Sequence, residues 1–540
     1  MTSLNTADTG LTRLSLKEKI GQLFMIGFEG TEIPADVREF IRTHNIGFIA
    51  LFTRNVDTLP QVKALTADIH EAAKIRPFIY TDQEGGTIVR FKELAATVIS
   101  HMGLTAAGDP ANARTAGRII GEEMKDLGVD GVLAPVVDVN FEEKNPIIGI
   151  RAFSDEPDVV VTYAREFTAG LHEGGVAGCI KHYPGHGGTT EDSHMEMPSV
   201  AISPEYFFHY CYRPFVEMVR SGIDAVMSSH VMFPQLSPNI ATFCPYLVGE
   251  LLRKKAGYNG VVASDCLEML AVKDRFSAGK IVKGAMAAGL DILTVSHKLD
   301  FQKELFDALY YYVQKGTISE ARIDESVARI LKLKERIVRA PVKTSETIKI
   351  RPNRKEEERL ADLSITLLRN GKGLIPIKRG GKILLVEWGK TSLMEPVARE
   401  FADDLGEIDV EVLPLLPPDK RKKTGQRIPK KLERKLNTYD CIIAGVCSSN
   451  PKTEQLQAEG LNRILQLHPN VIAAAIGNPY DIRNFPTIDT YVVSYGYRKV
   501  QLEALFKVLT GKIEAVGRLP VQIRNLFPRG HAVSVRGGIS

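Results

Sequence analysis

Eight short apolar runs recur along the first three hundred residues of this chain. They are FMIGF (24–28), GFIALF (47–52), FIYTD (78–82), GVLAPVVDV (131–139), AGCIKHY (177–183), AVMSSHVM (225–232), GVVASD (260–265) and DILTVS (291–296). Each is rich in β-branched or aromatic residues, and few are broken by polar alternation. Strands of a parallel sheet covered on both faces read this way, because neither face meets water. Helix-like segments separate most of them, at 108–127, 157–173, 203–221 and 245–256. Ser15 followed by Glu18 is a capping box ahead of a first helix that carries Ile20 and Leu23. Eight strands alternating with helices predict an α/β chain built on a (β/α)8 barrel. A doubly wound open sheet has the same periodicity and stands as the alternative.

The chain has 540 residues, too many for one core. An amphipathic helix over 319–338, with Ile323, Val327, Ile330 and Leu331 on one face, closes the barrel domain, assigned to 1–340. The polar stretch 341–359 reads as a linker. A smaller α/β sandwich domain follows over 360–540, with runs at 382–388, 409–415, 441–446, 471–477 and 490–496. The net charge of +4 gives no general attraction for nucleic acid or an anionic membrane. The basic run from Lys420 to Arg434 holds no aromatics and reads as a solvated surface. Six separated cysteines form no CxxC pair, so neither a disulfide framework nor a cysteine zinc site is expected. No run is long enough to span a membrane. The first residues show no apolar leader, so a cytoplasmic enzyme is the default, or a secreted one if a leader was removed. Oligomeric state is not legible.

Active sites of (β/α)8 barrels are built at the C-terminal ends of the strands. There this sequence repeatedly places polar residues: Asp82, Asp138, Lys181, His182, His230 and Asp265. The loop beyond the fifth run, KHYPGHGGTTEDSH (181–194), adds His186, Asp192 and His194. For Asp138 and His230 a loop hydrogen bond is the simpler reading. Convergence of Asp82, His182, His194 and Asp265 on one rim is harder to explain that way. Metal hydrolysis would need His182 and His186 on one helix face, which Pro184-Gly185 prevents. Phosphate binding by GHGG lacks the lysine-serine ending of a P-loop. Glycoside hydrolysis needs a carboxylate and a proton donor facing each other across a sugar, which Asp265 and the Asp192/His194 pair can supply. No metal and no cofactor are expected.

These residues carry a resemblance to glycoside hydrolase family 3, in its β-N-acetylglucosaminidase branch. DQEGGTIVRF (82–91), LAPVVDVN (133–140), NPIIGIRAFSDEP (145–157), the histidine loop and GYNGVVASDCLEM (257–269) are similar to the family's ordered motifs. SITLLRNGKGLIPI (364–377) and GRLPV (517–521) are similar to the second domain of longer members. The resemblance implies Asp265 as nucleophile, His194 as acid/base and Asp192 as its partner. It implies that Asp82, Arg90, Arg151, Lys181 and His182 hold sugar hydroxyls. It further implies a retaining exo-β-N-acetylglucosaminidase acting on GlcNAc-containing cell-wall muropeptide fragments or chitooligosaccharides. Thr87 stands where the family pattern has arginine, Gly188 where it has aspartate, and Cys266 where some members have a second aspartate. A phosphorylase, a broader β-glycosidase and a catalytically silent carbohydrate-binding protein are the rival expectations.

Overall fold

The computed structural model describes residues 13–92, 94–190, 197–338, 352–415, 428–448 and 451–534. The eight strands of the first sheet are β1 (Phe24–Ile26), β2 (Phe48–Leu51), β3 (Phe78–Thr81), β4 (Gly131–Val132), β5 (Ala177–Tyr183), β6 (Ala225–Ser228), β7 (Val261–Ser264) and β8 (Leu293–Val295). They pair in parallel in the order β8-β1-β2-β3-β4-β5-β6-β7. A doubly wound sheet would reverse its strand order part-way; this one runs in sequence and nearly closes. Phe24 lies opposite Leu293, and β7 meets the approach to β8 through the parallel bridge Ala263–Ile292. The expected α/β barrel is therefore the fold.

Local sequence explains the supporting elements. The Ser15 hydroxyl accepts the Glu18 N–H, and the Glu18 carboxylate accepts the Ser15 N–H, so the capping box opens helix Leu16–Gln22. Helix Glu320–Val338 buries Ile323, Val327 and Ile330 and pairs Glu320 and Asp324 with Lys19 of the first helix. The helix expected over 203–221 is not uniform: a wide π-helical segment, Phe207–Tyr212, precedes the α-helix Arg213–Arg220. Pro214 lacks an N–H and crowds the carbonyl four residues earlier, so the tighter turn cannot continue through it.

The second sheet comprises β9 (Thr366–Asn370), β10 (Gly381–Trp388), β11 (Gly406–Leu413), β12 (Cys441–Val446), β13 (Val471–Ala475) and β14 (Thr490–Val493), in the order β9-β14-β13-β12-β10-β11. Only β9 is antiparallel. It escaped the reading by apolar runs because Ile365 to Leu368 gives way at once to polar Arg369-Asn370. Residues 341–351 of the expected linker lie outside the described residues, and its last residues already belong to helix Arg354–Ser364.

The domains are bonded to each other around the barrel mouth. Arg498 donates to the carbonyls of Gly86 (3.0 Å) and Thr87 (3.1 Å), Arg483 pairs with Glu143 (2.7 Å), and Ser154 donates to the Pro520 carbonyl (2.7 Å). A guanidinium thus reaches the turn at Thr87, but from the second domain.

Candidate active site

Beyond β3 the chain makes a small hairpin, Gln83–Gly85 against Ile88–Val89. Buried Gln83 fixes it: Oε1 accepts the Arg90 N–H at 2.9 Å, and Nε2 donates to the Ala96 carbonyl at 3.0 Å. Arg90 is thereby returned to Asp82, 2.7 Å away. At the end of β5, Lys181 and His182 both line the cavity, and the peptide bond joining them is cis. Lys181 Nζ lies 2.7 Å from Asp82 and 2.6 Å from Glu84. Arg151 grips Glu84 through two bonds, of 2.9 and 2.8 Å. Three cations therefore alternate with two carboxylates in one network.

That alternation keeps charge in a site that would otherwise expel it. Burial disfavours the charged form of Asp82, yet Lys181 and Arg90 hold its pKa at about 2. Burial likewise opposes Glu84, and Arg151 with Lys181 keeps it far below the usual carboxylate range. Arg90 Nε is buried with no hydrogen-bond partner among the described residues. A buried donor of this kind is costly unless a ligand completes it, and Arg90 lines the cavity.

His182 rests on a second carboxylate. Its Nδ1 is 2.7 Å from Asp138, which also accepts the backbone N–H groups of His182 (3.2 Å) and His186 (2.6 Å). Asp138 is fully buried, so its charge is sustained only by these donors. Asp265 follows β7 directly and opens onto the cavity. Burial again works against its ionisation, but His182, His230, the Cys266 N–H and Lys181 together keep its pKa low. The Cys266 N–H donates to Asp265 at 2.7 Å. His230, between Thr242 (2.8 Å) and the Cys266 carbonyl (3.0 Å), holds that loop. Burial pushes the Cys266 thiol up to about 11.

The structure thus brings together Asp82, Arg90, Arg151, Lys181, His182 and Asp265 around one cavity of about 350 Å³. Asp192 and His194 lie outside the described residues. The described start of their loop is tightly placed. A Cβ on Gly187 would stand 1.7 Å from the Val139 carbonyl oxygen, and one on Gly188 2.2 Å from the Phe141 ring. Gly188, which stands where the family pattern has aspartate, therefore serves close packing here. A second cavity of about 400 Å³ lies between the domains and shares Ile88, Ile147 and Arg151 with the first. Residues that follow β12 and β13, among them Ser448 and Asn478, form its far wall.

The description "Glycosyl hydrolase family 3 N terminal domain" matches residues 15–333, the whole barrel. This chain belongs to glycosyl hydrolase family 3. It is 37% identical over 284 residues to a β-hexosaminidase of Xanthomonas axonopodis pv. citri (strain 306), covering 51% of this chain and 84% of that relative. A β-hexosaminidase of Stenotrophomonas maltophilia (strain K279a) is 33% identical over 310 residues, or 56% of this chain and 90% of the relative. Among solved structures, a family 3 β-N-acetylglucosaminidase from Paenibacillus sp. str. FPU-7 superposes with a TM-score of 0.84 at 32% identity, over 95% of this chain and 100% of that one. A β-glucoside phosphorylase shares the fold at 22% identity, with a TM-score of 0.80 over 95% of each chain.

The protein is a glycoside hydrolase. Within this family 3 enzyme, two site residues went unassigned on sequence. Glu84 lies two positions from Asp82 in an extended segment, a spacing that puts both side chains on one side. Asp138 makes the loop hydrogen bond that the sequence suggests, but the ring it holds is that of His182.

Proposed function

We propose that this enzyme is a retaining exo-β-N-acetylglucosaminidase that removes a terminal β-linked N-acetylglucosamine through a covalent glycosyl–Asp265 intermediate. One observation carries the reading: Asp265, its pKa held low, lines one small cavity together with the Asp82–Lys181–Glu84–Arg151 network. A carboxyl group must be ionised to attack, and a neutral sugar is held by groups that accept and donate in alternation. The volume, about 350 Å³, is at the small end for ligand pockets and suits one sugar ring rather than a long glycan.

In the proposed cycle Asp265 attacks the anomeric carbon while His194, oriented by Asp192, protonates the departing oxygen. His194 then takes a proton from water, which releases the sugar with its configuration retained. Asp82, Arg90, Arg151, Lys181 and His182 fix the hydroxyls. The adjoining cavity, with Asn478, Asp481 and Arg483 in its wall, receives the aglycone, which is the remainder of a muropeptide fragment or a chitooligosaccharide. A cytoplasmic role in cell-wall recycling fits such substrates.

A chromogenic N-acetyl-β-glucosaminide followed by proton NMR tests this. The β-anomer of N-acetylglucosamine should appear first, at a rate independent of phosphate. Appearance of the α-anomer first, or a requirement for phosphate, would refute the hydrolytic retaining route.

A further inference from the structure

Past the nucleophile, the loop after β7 is tied to the loop after β8 by one carboxylate. Glu268 accepts the backbone N–H of His297 at 2.6 Å and that of Lys298 at 2.9 Å. Its oxygens are therefore fixed in place before any ligand arrives. Cys266 Sγ lies 3.9 Å from Glu268 Oε2, and one ligand atom each of Cys266, Glu268 and His297 lie within 4.8 Å of one another. All three residues line the catalytic cavity, and the proposed reaction uses none of them.

We propose that Cys266, Glu268 and His297 form a binding site for a thiophilic divalent cation of the zinc class, and that its occupation inhibits the enzyme. Thiolate, imidazole and carboxylate are the donors zinc takes, at about 2.3 Å to sulfur and about 2.0–2.2 Å to nitrogen or oxygen. Tetrahedral angles then require a sulfur–oxygen separation of about 3.6 Å, and 3.9 Å is close to it. His297 is exposed, beside the ring of Phe52, so its imidazole is free to turn toward the other two donors. Coordination deprotonates the thiol, and the proton leaves to solvent.

Arg54 sets one positive charge near the three ligands, against two carboxylates. Asp265 and Glu268 are both carboxylates, and the nearby Arg54 is already engaged by Glu29 at 3.1 Å and by the carbonyls of Phe28 (2.9 Å) and Ser296 (2.6 Å). Three protein ligands leave a fourth position for water on the cavity side. The Cys266 N–H donates to Asp265, so a cation on the Cys266 sulfur sits beside the nucleophile. It would draw on that carboxylate's charge and compete with the sugar for space.

The test begins with binding, which does not depend on the proposed reaction. Chelator-treated protein is dialysed against zinc chloride, and the retained metal is measured by atomic spectroscopy. Wild type should retain one equivalent. C266S and H297Q should each weaken retention more than about tenfold, while H194A retains zinc as wild type does. Cobalt(II) in place of zinc should give a thiolate charge-transfer absorption that C266S abolishes. With a chromogenic substrate, zinc should raise the apparent KM of wild type and leave that of C266S unchanged. No retained zinc in wild type, or retention equal in C266S and H297Q, overturns the site. Retention lost only in H194A assigns the metal to the histidine loop and overturns it as well. Binding without any change in KM overturns the inhibition. An absence of glycosidase activity would count against the proposed function and leave the binding result readable.

Discussion

Asp138 Oδ2 accepts the Nδ1–H of His182 across 2.7 Å, which leaves Nε2 as the acceptor whenever that ring is neutral. Nε2 faces Arg151 Nη2 at 3.4 Å, and a guanidinium can only donate. The two contacts select one tautomer. Asp138→Asn can turn its amide N–H toward the ring and reverse the choice, and it leaves fewer acceptors for the N–H groups of His182 and His186. The disturbance of buried partners is worth about 1–3 kcal/mol, or roughly five- to 160-fold in kcat/KM. A variant with wild-type kinetics would show that the tautomer of His182 is immaterial.

Arg90 and Arg151 should separate by their effect on folding. Arg151 is the two-bond partner of fully buried Glu84, so Arg151→Ala leaves that carboxylate to Lys181 alone. Both stability and kcat/KM should fall. Arg151→Lys should rescue little, because one ammonium cannot reproduce the fork. Arg90 pairs with the more accessible Asp82 and has a donor with no protein partner among the described residues. Arg90→Ala should weaken kcat/KM with a much smaller shift in the thermal midpoint. Equal midpoint losses for the two alanine variants would contradict this division.

Asp265→Asn should lower turnover more than about ten-thousandfold, as loss of a covalent nucleophile does, with the fold intact. A 2-fluoro or related mechanism-based glycoside followed by peptide mapping should label Asp265. A label on any other carboxylate removes the assignment.

The barrel was legible because its strands are covered on both faces and so read as unbroken apolar runs. The same logic hid β9, an edge strand with Arg369 and Asn370 only half buried. Polar residues at strand ends marked the rim, since nothing else explains Lys181 and His182 closing an apolar run. What the sequence did not disclose is partnership across elements. The bond from Asp138 to His182 and the sharing of Glu84 between Lys181 and Arg151 join residues far apart in the chain that only the closed barrel brings together. The stretch that carries Asp192 and His194 is known from its motif and not from its geometry.

The second domain contains a titrating carboxyl. Asp481 is buried, and burial pushes its pKa from 3.8 up to about 7 even though the Ser448 hydroxyl and N–H both donate to it. A folded-state pKa above the unfolded value means the folded chain keeps a proton that the unfolded chain gives up. Stability from this group is fully present below about pH 4 and is lost as pH rises to 7. At about 1.4 kcal/mol per unit the loss is at most about 4 kcal/mol. Asp481→Asn cannot titrate and still accepts from Ser448. Its urea midpoint relative to wild type should therefore rise between pH 5 and pH 8. A difference that is the same at both pH values would show that Asp481 does not titrate in this range.

His194 is assigned a proton in each half of the proposed cycle, so its removal should be felt twice. General acid–base assistance is typically worth about a hundredfold to ten-thousandfold. With a good leaving group, glycosylation needs little protonation, so the first step of His194→Ala should suffer least there. Attack by unassisted water then becomes limiting, and the glycosyl enzyme should accumulate as a burst followed by slow turnover. Azide needs no base and should restore turnover, giving a glycosyl azide. Asp192→Ala should show a weaker form of the same pattern, because it disturbs the imidazole without deleting it. A histidine that only braced its own loop would cost good and poor leaving groups alike, with no burst and no azide product. Measuring both substrate classes on His194→Ala therefore separates a proton carrier from a structural residue.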